Sequence, residues 1–213
     1  MAVGGLFLVK LFRIRWAAYK PVRNSQHFTE LVRGGLPWQG WCGRGTDDGR
    51  TMNPTYREAG PEDTVEIVRL IAAVAAENQW IRTELPFDLA ERAQRLAAAM
   101  KAGFLVTFLA EAEAIVVGEV TLAFREDRAA LAMVIDAGHR GKGYGRALLL
   151  HAINNGRERG VKRIELAVYT HNAPALKLYR SVGFIESGPP TPERRSDGQC
   201  WEAIPMGLNL VLN

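Results

Sequence analysis

The sequence predicts an α/β domain in which helices flank a mixed, largely antiparallel central sheet. Short runs of apolar, partly β-branched residues alternate with longer segments whose apolar residues recur at helical spacing. Two of the short runs are separated only by Ala112 and Glu113, which is hairpin spacing and makes part of the sheet antiparallel. The length of 213 residues, 47% of them hydrophobic, suffices for one domain with an appended segment.

Residues 1–51 are the appended segment, and we expect a basic, glycine-rich, flexible extension. Eight Lys or Arg against three Asp or Glu give this segment a formal charge of +5, so the total of +4 leaves −1 for residues 52–213. The basic character therefore belongs to the extension, and we expect no nucleic-acid partner. An amphipathic targeting role, or tethering to anionic lipid or nucleic acid, is an alternative for the extension alone.

Composition also narrows the class of protein. No apolar run is long enough to cross a bilayer, so no transmembrane segment is expected. Cys42 and Cys200 are isolated thiols without the spacing of a disulfide framework or a zinc site. We therefore expect a cytoplasmic protein without a metal, with a homodimer as one assembly that the sequence allows.

The first half of the domain predicts a strand, two helices and a hairpin. Gly60 to Asp63 is a helix-start signal with proline and acids in the first turn, and Asp88 is a plausible N-cap. The predicted order is a strand over 55–58, a helix from this signal to about 78, a helix from 88 to 103, and hairpin strands over 104–111 and 114–124.

The second half predicts strands that alternate with helices. A strand over 129–135 leads into a glycine loop and then a helix that ends near 155–156. A strand over 161–169, a short helix from Asn172 to about 182 and a strand start at 184–186 follow. Residues 187–199 are predicted as a loop, and residues 200–211 close the sheet.

The loop over 140–146 is the strongest candidate for a binding site. The first N–H groups of a helix lack internal partners and lie at the positive end of its dipole, which favours a phosphate there. Glycines allow close approach and basic side chains add charge, and these residues are Gly141, Gly143 and Gly145 with Arg140, Lys142 and Arg146. A Walker loop needs Ser or Thr after Gly-Lys, and the GxGxxG dinucleotide fingerprint also fails.

Two motifs resemble one enzyme family. The letters RGKGYG at 140–145 resemble the Q/R-x-x-G-x-G/A pyrophosphate loop of the GNAT superfamily of acyl-CoA-dependent N-acyltransferases. Residues 170–184 resemble the family's N-x-x-A-x-x-L-Y-x-x-x-G-F signature at the usual distance downstream. The resemblance covers residues 52–213 in outline, and it implies a GNAT-like fold, acetyl-CoA as donor and an amine as acceptor.

The resemblance also implies where the donor binds. The glycine loop, including Tyr144, and the helix after it would hold the pyrophosphate through backbone N–H groups. The preceding strand end, at Met133, Val134 and Ile135, would pair with the pantetheine amides, and the Val134 N–H could stabilise the oxyanion. Asn172 has two open interpretations, a hydrogen bond to the cofactor arm or a helix cap.

Tyr179 is the expected proton donor to the departing thiolate, a role that the resemblance implies. A phenol pKa of about 10 against a thiol pKa of about 8.5 makes that transfer mildly uphill, so positioning can decide it. Anchoring the short helix on the core is the alternative role. The attacking amine must be neutral, which for a lysine-like amine costs about 4.6 kcal/mol at pH 7, so a base or water relay is needed.

The base is harder to assign, because the strand over 129–135 carries no acid although many relatives have one there. Glu119 on the neighbouring strand is the favoured candidate and Glu84 a second, with a solvated or salt-bridged acid as the alternative for each. Asp136 is expected to be structural. His139 and His171 border the two motifs and are expected at the surface.

The predicted activity is transfer of an acetyl group from acetyl-CoA to a primary amine by direct attack on the thioester. Residues 79–87 and 187–199 would select the acceptor, which the sequence leaves open among small amines, amino acids, peptide N-termini and aminoglycosides. The alternative is a non-catalytic acyl-CoA sensor, because the strand before the glycine loop lacks a carboxylate.

Overall fold

The computed structural model describes residues 54–210, so the expectations for residues 1–51 lie outside the described part of the chain. A mixed sheet forms the centre of the domain. Its strands are β1 Thr55–Glu58, β2 Leu105–Ala112, β3 Ile115–Arg125, β4 Arg128–Ile135, β5 Arg163–Tyr169, β6 Ile185–Glu186, β7 Thr191–Arg194 and β8 Cys200–Asn209. The α-helices are α1 Thr64–Ala76, α2 Leu89–Lys101, α3 Tyr144–Glu158 and α4 Ala173–Ser181.

The strands lie in the order β1-β2-β3-β4-β5-β8-β6, and β7 also pairs with β8. Among the described strands, β4 and β5 form the one parallel pair, and the other neighbours are antiparallel. This confirms the predicted α/β class with a mixed, largely antiparallel sheet. None of the helices in residues 54–210 is long and apolar enough to cross a membrane.

The helix boundaries follow from local signals in the sequence. The Asp88 carboxylate accepts a hydrogen bond from the Glu91 N–H at 2.8 Å, which caps the start of α2 as predicted. Gly103 follows the end of α2 with a φ of +70°, a conformation that costs glycine little. Helix α3 continues to Glu158, slightly beyond the predicted end.

The prediction of a loop over residues 187–199 is wrong in part, because Thr191–Arg194 form strand β7, which pairs antiparallel with β8. This segment contains Pro192 and two charges, so its own propensity for a strand is low. Pairing with Cys200–Ala203 of β8 overrides that propensity, and an edge strand tolerates proline because no strand on its outer side requires the N–H.

The two faces of the sheet pack against different helices. Leu148 and Leu149 of α3 pack with Val120 and Leu122 of β3, and all four side chains are fully buried. On the other face, Val74 of α1 packs near the end of β4. Burial of each such side chain contributes about 1.5–3 kcal/mol, so these layers fix how β3 and β4 are presented to the site.

Candidate active site

Strands β4 and β5 separate at the end that faces the glycine loop. They pair only from Arg128–Ala130 to Arg163–Glu165. Beyond these residues β4 stays paired with β3, up to Ile135 opposite Gly118. The backbone groups of residues 131–135 that point toward β5 therefore have no partner in that strand. We call this opening the β4–β5 gap.

The glycine loop lies directly after the end of β4. Gly141 and Gly143 have φ angles of +75° and +91°, which side chains disfavour, and no heavy atom lies within 4 Å of a Cβ built at either position. Gly143 is the N-cap of α3, and no side chain caps this helix. The N–H groups of the first turn are consequently available to an anion, and binding of the pyrophosphate there stays a prediction.

Gly145 brings three elements together. A Cβ at Gly145 would lie 3.4 Å from Leu178 Cδ2 of α4 and 3.6 and 3.7 Å from side-chain atoms of Ile135 and Met133 in β4. The first turn of α3, the end of β4 and helix α4 thus meet within van der Waals distance. This places the predicted donor-binding residues of the strand and the loop side by side.

The side chains of the loop bind protein groups. Arg140 donates two hydrogen bonds to the Glu77 carboxylate, at 2.7 and 2.6 Å, and one to the Ile135 carbonyl at 3.1 Å. This pairing lowers the pKa of Glu77. Arg146 donates to the Ser181 hydroxyl at 3.0 Å. Lys142 is exposed.

Tyr144 is 9% exposed and belongs to the core cluster, so its backbone N–H rather than its phenol is suited to an anion. Asp136 caps the turn before the loop, where it accepts from the Gly138 N–H at 3.0 Å and pairs with the His139 ring at 2.7 Å. The His139 ring lowers the pKa of the Asp136 carboxyl. These contacts agree with the structural role expected for Asp136.

Asn172 acts as the cap of α4. Its side-chain oxygen accepts from the Ala175 N–H at 3.2 Å, and its side-chain nitrogen lies 3.4 Å from the Trp80 carbonyl oxygen. The second of its two interpretations, the helix cap, is therefore present. Contact with the cofactor arm stays a prediction.

Tyr179 is 7% exposed, and its ring lies 5.7 Å from that of Phe184. Burial raises its pKa, and the negative charge of Glu119 raises it further. The phenol therefore keeps its proton at neutral pH.

Glu119 is 2% exposed, so the alternative of a solvated surface acid is wrong for this residue. Its carboxylate accepts a hydrogen bond from the Thr121 hydroxyl at 2.9 Å, and Thr107 and Thr121 are linked at 2.7 Å. Burial raises the pKa of Glu119 to about 7, partly offset by the Thr121 hydrogen bond and the Arg92 charge. A carboxyl with this pKa can exchange a proton near neutral pH.

Glu84, the second candidate base, is engaged elsewhere. Its carboxylate accepts from the Ser196 N–H at 2.8 Å and lies 3.6 Å from Arg195. The salt-bridged alternative therefore applies to Glu84. His171 is exposed, as expected for a surface position, and its Nε2 lies 2.6 Å from the Gln79 carbonyl oxygen.

Sequence reasoning missed the arginines near this site. Arg195 is 4% exposed, and it donates to the carbonyl of Ile81 at 3.2 Å and to the amide oxygen of Asn78 at 2.7 Å. Its partners are more than 100 positions away in the chain, so no local pattern could reveal them. In residues 54–210, no group of three or more His, Cys, Asp or Glu is placed to hold a metal ion.

A split sheet beside a glycine loop is the arrangement that the resemblance of the two motifs leads us to expect. The model of the Acetyltransferase (GNAT) family matches residues 68–184, more than half of the chain. The protein belongs to the GNAT family, as the two motifs predict, and it is an N-acetyltransferase.

Similar proteins agree with this assignment. The L-methionine sulfoximine/L-methionine sulfone acetyltransferase of Pseudomonas paraeruginosa is 27% identical over 165 residues, covering 75% of this chain and 96% of that protein. Streptothricin acetyltransferase of Streptomyces lavendulae is 51% identical over 51 residues, 24% of this chain and 27% of that protein. That second match spans about a quarter of the relative's length.

A solved structure shows the same fold. It is a GNAT superfamily phosphinothricin acetyltransferase from Sinorhizobium meliloti in complex with acetyl-CoA, with a TM-score of 0.66 and 21% identity. The alignment covers 74% of this chain and 89% of that one. The shared fold agrees with the split sheet described above.

Proposed function

We propose that the protein transfers an acetyl group from acetyl-CoA to a primary amine by direct attack of the amine on the thioester. One observation carries this proposal: the β4–β5 gap opens beside the first turn of α3. The gap offers backbone groups to an extended chain and the helix start offers N–H groups to a diphosphate. Acetyl-CoA contains both features.

The donor would be held by backbone more than by charge. Arg140 already forms a two-point ion pair with Glu77, so the amides of Gly143, Tyr144 and Gly145 are the stronger candidates for the pyrophosphate. Lys142 is exposed and adds positive charge at the rim of the loop. The free backbone edge at 133–135 supports the predicted pairing with the pantetheine arm.

Glu119 is the proposed base. With a pKa of about 7, the Glu119 side chain is ionised in roughly half of the protein molecules at neutral pH. The carboxylate can then take a proton from the acceptor ammonium directly or through water. The resulting neutral amine attacks the thioester carbon and forms the C–N bond. The register of β3 and β4 turns the Val134 N–H toward Glu119 of β3, so the N–H of Met133 or Ile135, which points into the gap, is proposed to stabilise the oxyanion that develops.

Tyr179 is the proposed partner of the leaving group. As the C–S bond breaks, its electron pair goes to sulfur, and the phenol donates a hydrogen bond and then its proton to the thiolate. Because burial raises the pKa of Tyr179, complete transfer is more uphill than for an ordinary tyrosine. The nitrogen loses two protons in all. Glu119 takes the first before the attack and passes it to solvent, and the second, released after the C–N bond forms, replaces the proton that Tyr179 gives to sulfur, so the products are the amide and the free thiol.

The absence of a carboxylate in β4 was the argument for a non-catalytic sensor, and the register of the sheet weakens it. Strand β4 has no acid, but Glu119 of β3 lies directly opposite Val134, so the neighbouring strand supplies the carboxylate.

The names of relatives support amines of several kinds as acceptors, since they act on methionine sulfoximine and on streptothricin. We further propose that the reaction takes place in the cytoplasm and that the enzyme can form a homodimer.

Two measurements test the proposal. Calorimetry should detect saturable binding of acetyl-CoA to the purified protein, and thiol release with acetyl-CoA should exceed the hydrolysis rate for at least one member of a broad amine panel. Absence of acetyl-CoA binding would remove the donor site. Binding without any amine-dependent thiol release would instead support the sensor.

A further inference from the structure

Three arginines lie in or against the segment that connects α1 and α2, residues 77–88, and their side chains are incompletely hydrogen-bonded. Arg82 lies within the connection, and Arg92 and Arg195 contact it through Thr83 and Ile81. The buried Nε atom of each arginine has no hydrogen-bond acceptor among residues 54–210. Such donors destabilise a fold unless a partner arrives, so their presence in one region calls for an explanation.

Two of the three arginines have carboxylate partners within the protein. Arg82 forms an ion pair with Glu193 of β7. Arg195 lies 3.6 Å from Glu84 and stacks over the Trp201 ring at 4.4 Å. These two arginines connect the α1–α2 connection to β7 and β8, which is a positioning role.

Arg92 differs from the other two. Within the described residues it forms no ion pair, and its terminal nitrogen makes a long contact of 3.4 Å with the Thr83 hydroxyl. The guanidinium lies over the Phe87 ring at 4.7 Å to the centroid. Burial lowers the pKa of Arg92, which means that its positive charge is poorly compensated.

The contacts of Arg92 relate it to the proposed chemistry, because Thr83 and Phe87 lie within residues 79–87, which the sequence predicts to select the acceptor. Its charge lowers the pKa of Glu119, and the charge of Glu119 raises that of Tyr179. The proposed leaving-group partner, the proposed base and Arg92 therefore form a series of electrostatically coupled groups. A substituent on the carbon next to the acceptor amine lies only a few ångströms from the proton that Glu119 removes.

We propose that the acceptor is an amine with a carboxylate close to the reacting nitrogen, as in an α-amino acid, and that Arg92 binds this carboxylate. A guanidinium matches a carboxylate through two parallel hydrogen bonds, and such pairs are strongest where water is excluded. The nearby carboxylates of Glu84 and Glu193 already have arginine partners. This inference rests on the proposed acetyl transfer and names its class of acceptor.

A purely electrostatic role for Arg92 is the competing explanation. If Arg92 only adjusts the pKa of Glu119, its replacement would slow all acceptors equally and shift the pH profile. If Arg92 binds the carboxylate, the loss is confined to acceptors that carry one. Paired acceptors separate these two explanations.

The kinetic test uses the standard L-amino acids, each beside its carboxamide and its decarboxylated amine, with saturating acetyl-CoA. The protein should prefer the acid form of its best amino acid by about 100-fold in kcat/KM, and Arg92→Gln should abolish that preference. Arg92→Lys should restore only part of it, because an ammonium lacks the planar pair of donors. Arg95→Gln is the matched control, since Arg95 lies one turn further along α2 and pairs with Glu91.

A binding test keeps this inference separate from the proposed function. Calorimetry on the complex with CoA should show the best amino acid binding about 100-fold more tightly than its carboxamide, and Arg92→Gln should remove the difference. Acetylation without any preference for the acid form overturns the inference and leaves acetyl transfer intact. Arg92-dependent binding of amino acids without turnover would support the inference and contradict the proposed acetyl transfer. Equal losses for acids and amides in Arg92→Gln also overturn the inference.

Discussion

Glu119 of β3 is the register partner of Val134 of β4, so the two side chains lie on the same face of the sheet. Directly opposed residues in an antiparallel pair have Cβ atoms about 4.5–5.5 Å apart. The buried carboxyl is therefore next to the strand that borders the β4–β5 gap. A chain without an acid in β4 thus still has a carboxyl beside the proposed reaction centre.

Replacement of Glu119 tests the proposed base. Glu119→Gln keeps the shape and an acceptor for the Thr121 hydroxyl, but it cannot take a proton, so kcat/KM should fall by about 10²- to 10⁴-fold. In the native enzyme, kcat/KM should rise with pH through about 7 as Glu119 ionises, and the variant should lack this limb. Glu84→Gln is the control, because Glu84 is paired with Arg195. Loss of activity in Glu84→Gln alone would transfer the role to that residue.

The burial of Glu119 also predicts how stability depends on pH. Its pKa is about 7 in the folded protein against 4.5 for an unperturbed side chain, so the folded state binds the proton more tightly. The protein should lose about 3 kcal/mol of unfolding free energy from this group as pH rises from about 4.5 through 7. Urea unfolding at pH 5 and pH 8 measures the change, which should be smaller in Glu119→Gln. The same pH dependence in both proteins would mean that Glu119 ionises without cost.

Removal of the Tyr179 hydroxyl should slow the chemical step. Tyr179→Phe keeps the ring against Phe184 but cannot donate to the thiolate, so we expect kcat to fall by about 100-fold or more while acetyl-CoA affinity changes little. Tyr56→Phe is the control, because burial also raises the pKa of Tyr56, which lies on β1. Stopped-flow measurement of thiol release makes the comparison. Full activity of Tyr179→Phe would leave this tyrosine with only its packing role.

Much of the fold could be predicted because its signals are local. The carboxylate of Asp88 and the amide of Asn172 cap helices where the sequence places caps, and their bonds span only three residues. The positive φ angles of Gly141 and Gly143 likewise follow from a loop that only glycine tolerates well. The helix starts and the backbone conformation of the glycine loop could therefore be predicted from the sequence.

The burial of Glu119 could not be predicted in the same way. It depends on β3 lying between β2 and β4, with Glu119 opposite Leu109 and Val134, and on the helix packing that covers this face. A glutamate in a strand is usually on the solvent side, so the local pattern favours the wrong environment. The contacts of Arg195 with Asn78 and Ile81 also need the folded chain, since 117 and 114 positions separate the partners.

Gly143 tests whether the helix start binds the donor. An alanine at φ +91° strains the backbone by about 1–2 kcal/mol, yet no protein atom lies within 4 Å of the added Cβ. Gly103→Ala is the matched control, since its φ is +70° and its Cβ also meets open space, at the end of α2. Both variants should lose similar stability in thermal unfolding, but only Gly143→Ala should bind acetyl-CoA more weakly, by about tenfold or more, because its Cβ and the tilted amides interfere with a close diphosphate. Equal acetyl-CoA affinities in the two variants, measured by calorimetry, would contradict a donor site at the first turn of α3.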